Sequence, residues 1–341
     1  MLNAVYRLVA PRRFEVEFND INLFEEQMVV RPTHLSICHA DQRYYQGLRP
    51  AEVMKQKLPM ALIHEGIGEV VHDPTGTYQP GDRVIMIPNT PVRQDDVIGE
   101  NYLRDSKFRA SGFDGFMQEH VALKPDRVVP LAKDIDQVVA AFTELVSVSV
   151  HGVRRFDKFA HSRRGVIGVW GDGNLGFLTA LCLRVMQPES RLYIFGVDAG
   201  KLSQFSFADA TFQVSDIPED VLVDHAFECV GGQASQKAID QMIDHVQPEG
   251  TLSLMGVSEY PVPINTRMVL EKGLRFYGSS RSGREDFLKT VEIYREHPKV
   301  VRYLSNIVGA QVRVRSIEDM NKAFEMDIYK SIGKTIMFWE V

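Results

Sequence analysis

The apolar positions along the chain change rhythm twice. Through about the first 130 residues they come in short runs, such as 27–30, 66–71 and 83–87, separated by Pro32, Pro59, Pro74, Pro80 and Pro88. Short apolar runs closed by proline, with a Gly81-Asp82 turn aiming one of them, predict the antiparallel strands of a barrel-like β domain. Residues 91–112 carry many charges and little periodicity, which predicts a surface lobe or a lid over a cleft. From Asp134 the spacing turns helical: Val138, Val139, Phe142, Leu145, Val146 and Ser149 recur three and four apart, on a helix running to about Arg155. After Gly165 strand and helix alternate. Strands are predicted at 166–170, 191–195, 224–229 and 251–255, and helices at 175–186, 201–207 and 234–246. Alternation at this pitch means βαβ units and a parallel sheet. A helix at 286–296, a strand, a short helix near 317–324 and a strand over 334–339 close the chain.

Composition narrows the class. The chain has 341 residues, the length of about two domains at roughly 150 residues each. Its 39 basic and 45 acidic residues leave a net charge of −6, which argues against a protein that coats nucleic acid or an anionic membrane. No apolar run approaches the roughly 18 residues of a membrane span, and the first residues lack the basic-then-apolar order of a signal peptide. A cytoplasmic location is expected. Three cysteines, Cys38, Cys182 and Cys229, can make neither a disulfide framework nor a four-thiolate zinc site. Any metal must therefore draw mostly on His, Asp or Glu.

The segment 166–176, VIGVWGDGNLG, joins an apolar strand to an amphipathic helix through Gly171, Gly173 and Gly176. The first glycine permits a tight turn. The second lets backbone approach a pyrophosphate, and the third lets helix and strand pack closely. Asn174 and Leu175 open the helix, whose free N–H groups favour an anion. An NAD site would place Asp or Glu about 20 residues on, at the end of the second strand. That position is Gly196, which leaves room for a 2′-phosphate, and Lys201 follows within a turn to meet its charge. NADP(H) is the favoured dinucleotide, with Asp198 the residue that keeps NAD(H) open.

The β-rich part carries a second chemistry. Cys38 lies in SICHAD, His64 and Glu65 in LIHEGIGEV, and Glu144 in FTELV. A catalytic zinc takes about three protein ligands of mixed S, N and O type and keeps a position open. These four residues supply the types, although they come from separate segments.

In order, Cys-x-x-Asp, His-Glu-Gly-x-Gly-x-Val, Gly-Asp-Arg-Val, a Glu-Leu pair opening a helix, and Gly-x-Gly-x-x-Gly give the whole chain a resemblance to the zinc-dependent medium-chain dehydrogenase/reductases. Within that family, YRLVAPRRFEV, DQRYYQG, WGDGNLG, FECVGG and GSSRSG resemble the ribulose-5-phosphate reductases that make ribitol 5-phosphate for teichoic acids and capsules. The resemblance implies an α/β chain: a GroES-like β-barrel catalytic domain, 1–150 completed by 285–341, and a Rossmann doubly wound parallel sheet at 151–284. It implies catalytic zinc on Cys38, His64 and Glu144, with Glu65 ligating directly or exchanging with water. It also implies reduction of D-ribulose 5-phosphate by NADPH in a cleft between the domains. Many relatives hold a second, structural zinc on four cysteines. Residues 91–112 contain none, so that zinc is expected to be absent.

Many relatives also relay a proton through a Ser or Thr where this chain has Ala40. A zinc-bound water backed by Glu65 or Glu144 is the first replacement, and Tyr44 or Tyr45 the second. The substrate phosphate needs a cation, for which Arg43, Arg281 and Arg109 are candidates, with Tyr44 in the same loop. His39 is expected to be exposed or structural, and Cys182 and Cys229 to be packing residues. A homodimer or homotetramer, a sugar-phosphate substrate and a ribitol-5-phosphate cytidylyltransferase as functional partner complete what the resemblance implies. Two rivals stand beside it: an NAD-dependent polyol dehydrogenase, and a non-catalytic nucleotide-binding redox sensor.

Overall fold

A computed structural model describes residues 1–25, 27–330 and 332–341. The chain divides into two units, 1–144 with 282–341, and 145–281. The boundaries expected from sequence, 150/151 and 284/285, lie a few residues from these.

The first unit is built of mostly antiparallel strands, with one parallel pair, Lys334–Trp339 beside Val308–Val314. The strands Leu2–Ala10 and Arg13–Asp20 form a hairpin extended by Met60–Ala61. A second sheet runs in the order Val128–Pro130, Arg83–Met86, Glu65–His72, Met28–Ser36, Lys334–Trp339 and Val308–Val314, with Val121–Leu123 paired to Met28–Ser36. The chain's last strand thus enters the sheet built by its first hundred residues. Its register pairs Ile336 with Ser36, which in turn pairs with Glu65. The core between these layers and the helix Ile317–Tyr329 includes Tyr44, Tyr45, Phe116 and Phe324. That helix has 13 residues and extends beyond the short one predicted at 317–324.

Residues 91–112 hold little regular structure beyond the pairing of Asn89–Thr90 with Lys107–Phe108. Ion pairs organise them. Arg127, only 2% exposed, meets Glu100 at 2.8 Å and Asp126 at 2.6 Å. Glu100 Oε1 also accepts the Arg284 N–H at 2.7 Å, tying the segment to the start of the helix Arg284–Glu296.

In the second unit six parallel strands lie in the order Ala210–Gln213, Arg191–Gly196, Val166–Trp170, Val223–Glu228, Val246–Leu254, Arg275–Gly278. Counting within the unit, this is 3-2-1-4-5-6, the doubly wound order that places ligands at the carboxyl ends of the strands. Trp170 stacks on Phe195 at 3.8 Å inside the core. Two elements differ from expectation. The predicted helix at 134–155 is broken into Gln137–Ala140 and Thr143–Phe159, with Asp136 capping the first piece through the Val138 N–H. The predicted helix at 201–207 is the single turn Ala199–Leu202, because Asp198 caps it early and the chain turns at Ser203.

Glu100→Ala should leave Arg127 with Asp126 and the Asn89 carbonyl, and the Arg284 N–H without its acceptor. We expect a loss of about 2–3 kcal/mol, read as a lower urea midpoint; an unchanged midpoint would show that the clasp carries no stability.

Candidate active site

Asp41 assembles the first half of the site. Cys38 ends its strand in extended conformation and caps the helix His39–Tyr45. One turn on, Asp41 is 1% exposed; its Oδ2 accepts the Cys38 N–H at 3.1 Å and its Oδ1 the Ile63 N–H at 3.0 Å. Ile63 has φ +71°, a left-handed conformation that a β-branched residue avoids. Such strain costs about 1–3 kcal/mol and persists where surrounding bonds over-determine it. Here the bond from Asp41 is joined by the Phe116 N–H, which donates to the Ile63 carbonyl at 2.7 Å. Gly115 permits this approach, since a Cβ there would stand 2.3 Å from that carbonyl. The reversal at Ile63 presents His64 and Glu65.

The ligand atoms of Cys38, His64 and Glu65 all lie within 4.8 Å of one another. On two of these residues a polar atom, His64 Nδ1 and Glu65 Oε2, is buried without a hydrogen bond. One sulfur, one nitrogen and one oxygen donor, with buried polar atoms left unsatisfied, fit a zinc ion. His64 Nδ1 is 3.6 Å from Asp41 Oδ1. Burial disfavours a charge on His64, but Asp41 and Cys38 outweigh it and raise its pKa well above the usual value.

Glu65 has a second charged neighbour that sequence reasoning missed. Lys334 Nζ meets Glu65 Oε1 at 2.8 Å, with both side chains at most 3% exposed. Burial opposes the charge on Lys334, and Glu65 more than restores it. Glu144, the fourth residue of the predicted set, is buried but lies outside the group of three. Burial raises its pKa to about 7, with His64 pulling it down and Glu65 pushing it up.

The helix after Cys38 carries the predicted substrate residues. Arg43 is half-buried, and Tyr44 is 1% exposed with its hydroxyl unpartnered. Tyr45 donates to Glu325 at 2.9 Å and to Asn321 at 3.1 Å, which makes it a packing residue against the helix Ile317–Tyr329. His39 is exposed. Arg109 spends its guanidinium on the carbonyls of Asp114 and Ala122, and burial lowers its pKa to about 10. Arg281 belongs to the second unit, with φ +58°.

In the second unit the glycine motif forms a cradle. Gly171 has φ +129°, and a Cβ there would press on Cys229 at 2.9 Å. Gly176 lies so near Gly171 that a Cβ would come to 1.9 Å of its carbonyl oxygen. Gly173 faces open space and caps the helix Asn174–Met186, with no side-chain cap bond at that end; Leu175 follows in the first turn. Exposed backbone at a helix N-terminus fits a pyrophosphate. Two carboxylates shape the cradle's neighbours. Glu228, 1% exposed, accepts the N–H groups of Val230, Gly231 and Gly256 at 2.8–2.9 Å. Asp172 Oδ2 accepts those of Val197 and Asp198 at 2.7 and 2.8 Å. A Cβ at Gly196 would meet the Asp172 side chain at 2.6 Å, so Gly196 makes room first for Asp172. Asp198 Oδ1 accepts the Lys201 N–H at 3.0 Å and is engaged as a helix cap. Cys182 and Cys229 are buried, and burial pushes both thiols up, Cys182 to about 12.

Residues 25–133 match the family model of the alcohol dehydrogenase GroES-like domain, and residues 206–296 that of the zinc-binding dehydrogenases. The chain is 57% identical to a ribulose-5-phosphate reductase of Bacillus spizizenii over 100% of both chains. It is 53% identical to ribulose-5-phosphate reductase 1 of Staphylococcus aureus over 99% of both. The crystal structure of Staphylococcus aureus TarJ in complex with NADPH superposes with a TM-score of 0.90, at 49% identity and 100% coverage of both chains.

Asp41→Asn keeps the size of the side chain, removes its charge beside His64 and leaves one of the two backbone N–H groups of Cys38 and Ile63 facing an amide NH2 instead of an acceptor. Zinc affinity, measured by competition with a chelator, should fall about 10–100-fold; unaltered affinity would assign Asp41 to folding alone. With a GroES-like domain that carries a mixed-donor metal set and a doubly wound domain that carries the glycine cradle, the chain belongs to the zinc-type medium-chain dehydrogenase/reductase family, alongside the ribulose-5-phosphate reductases.

Proposed function

We propose that the chain reduces D-ribulose 5-phosphate to D-ribitol 5-phosphate with NADPH, at a zinc centre formed by Cys38, His64 and Glu65 with Glu144 beside them. The observation that carries this reading is the S, N and O donor set, with His64 and Glu65 buried and Cys38 half-buried, in a chain similar over its full length to reductases of that substrate. Bound there, zinc supplies a Lewis acid for the ketone oxygen, and bound NADPH supplies the hydride.

The chain's own residues do the rest. The Cys38 sulfur and the Glu65 carboxylate are negative donors that offset a divalent charge, and Lys334 holds Glu65 in place from its far side. Asp41 places a negative charge 3.6 Å from His64 Nδ1 and sets the turn that carries Cys38. The alcohol product needs a proton as well as the hydride. Ala40 has no hydroxyl to relay it, so the carboxyl groups at the site take that role. Glu144, with its pKa raised by burial to about 7, can hold and release a proton near neutrality. Glu65 Oε2, buried without a hydrogen bond, is a second carboxylate oxygen at the site.

For the nucleotide, the Gly171–Gly176 turn and the helix behind it supply backbone N–H groups for the pyrophosphate. Lys201 supplies the cation for the 2′-phosphate. The capping duty of Asp198 supports NADPH over NADH, because its Oδ1 is occupied by the Lys201 N–H. One zinc per chain is the proposed stoichiometry, as residues 91–112 contain no cysteine. A homodimer or homotetramer, and a cytidylyltransferase that consumes the product, are the proposed partners. No described helix is long and apolar enough to cross a membrane.

Two variants test the reading. Cys38→Ala should lose zinc and reductase activity while still binding NADPH in a fluorescence titration. Full activity without metal would overturn the zinc mechanism. Lys201→Ala should raise KM for NADPH about tenfold and change KM for NADH far less, since a charge-assisted phosphate contact is lost only with the former. Equal effects on the two nucleotides would remove Lys201 from the 2′-phosphate site.

A further inference from the structure

The substrate proposed above has two ends, and only its carbonyl end has been given a site. Beside the metal set the first unit gathers basic side chains from two stretches far apart in sequence. His39 and Arg43 lie four residues apart on the helix His39–Tyr45, hence on one face. Arg49 follows after a turn, and its guanidinium lies over the Tyr44 ring at 4.7 Å. Lys330 and Lys334 flank the turn into the last strand. Gln42 docks the two stretches together, donating to the Phe324 carbonyl at 2.8 Å and to Asp327 Oδ2 at 2.9 Å. Lys330 forms an ion pair with Asp327 and lies 3.4 Å from Thr335 Oγ1, while Lys334 is committed to Glu65.

Arg43, Arg49, Lys330 and Lys334 are the cations around His39. Lys330 and Lys334 each have a carboxylate partner, so Arg43 and Arg49 carry most of the attraction for an anion. A second, independent observation lies in the same place. The Tyr44 hydroxyl is buried with no hydrogen-bond partner in a side chain 1% exposed, beneath Arg49. A buried hydroxyl without a partner is costly and calls for one. The distance also suits. Five residues of helix, from Cys38 to Arg43, rise about 7.5 Å, and the extended chain from a ketose C2 to a C5 phosphate spans about 6–7 Å.

We infer that Arg43, Arg49 and Lys330, with the Tyr44 hydroxyl, hold the phosphate of the sugar phosphate, so that the choice of phosphorylated over free ketose is made on this side of the metal set. The inference rests on the reading of the substrate given above. Arg43 and Arg49 act as the principal cations. Lys334 stays with Glu65.

The test is kinetic. Arg43→Gln, Lys330→Gln and the double variant are assayed with NADPH on D-ribulose 5-phosphate and on D-ribulose, with NADPH titration as the check of folding. The ratio of kcat/KM for the phosphorylated over the free ketose should fall roughly 30-fold in each single variant, mainly through KM. Inorganic phosphate should inhibit the wild type competitively against D-ribulose 5-phosphate, and about tenfold more weakly in the variants. Variants that bind NADPH and keep the wild-type ratio overturn the subsite. If a variant fails to bind NADPH, the wild-type inhibition pattern decides: competition with the sugar phosphate supports the subsite, and competition with NADPH alone overturns it. A wild type that turns over D-ribulose as well as D-ribulose 5-phosphate fails the substrate reading instead, an outcome distinct from a lost subsite.

Discussion

The carboxylate of Asp41 is the constraint on which the catalytic unit depends. Its two oxygens reach two backbone N–H groups on separate elements, that of Cys38 where a strand turns into a helix and that of Ile63 where another reverses. Each bond is ordinary in strength, but together they decide where two metal donors stand. The left-handed backbone at Ile63 could not persist as an isolated preference. It survives because Asp41 holds its N–H, Phe116 holds its carbonyl, and Gly115 lets the chains approach. A functional residue is thus presented by a strained neighbour, with the strain offset by bonds from two other segments.

Charge balance at the metal set follows from the sheet. Glu65 is fully buried, and a lone carboxylate there would be forced to neutralise or to pull in water. Lys334 meets it because the last strand pairs with Met28–Ser36 in a register that brings residue 336 opposite residue 36 and hence near residue 65. Closure of the sheet by the C-terminal strand is therefore an electrostatic requirement of the site as well as a packing one.

In the nucleotide unit, carboxylates do a different kind of work. Glu228 gathers three backbone N–H groups at the end of Val223–Glu228, and Asp172 gathers two at the end of Arg191–Gly196. Both organise loops at the carboxyl edge of the sheet. The glycines are then intelligible one by one: Gly171 and Gly176 avoid collisions with backbone, while Gly173 leaves the cradle open. The glycine at 196 has a nearer cause than the nucleotide, since Asp172 fills the space its side chain would take.

What the sequence determined by itself was local. The alternation of strands and helices after Gly165, the glycine turn and its helix, and the strand over 334–339 were legible because periodicity and turn chemistry act over a few residues. The break at Ala141–Phe142 and the single turn after Asp198 were missed because an apolar pattern marks the face of a helix and not its ends, which here are set locally at Asp136, Ala141, Asp198 and Ser203. The donor types of the metal set could be named from motifs, but motifs say nothing about which donors converge. Tertiary structure alone brought Cys38, His64 and Glu65 together and left Glu144 just outside them. Lys334 lies 269 residues from Glu65 in sequence, and no spacing rule reaches that far. Its place was decided by strand register, which depends on every residue of both strands and on the core beneath them.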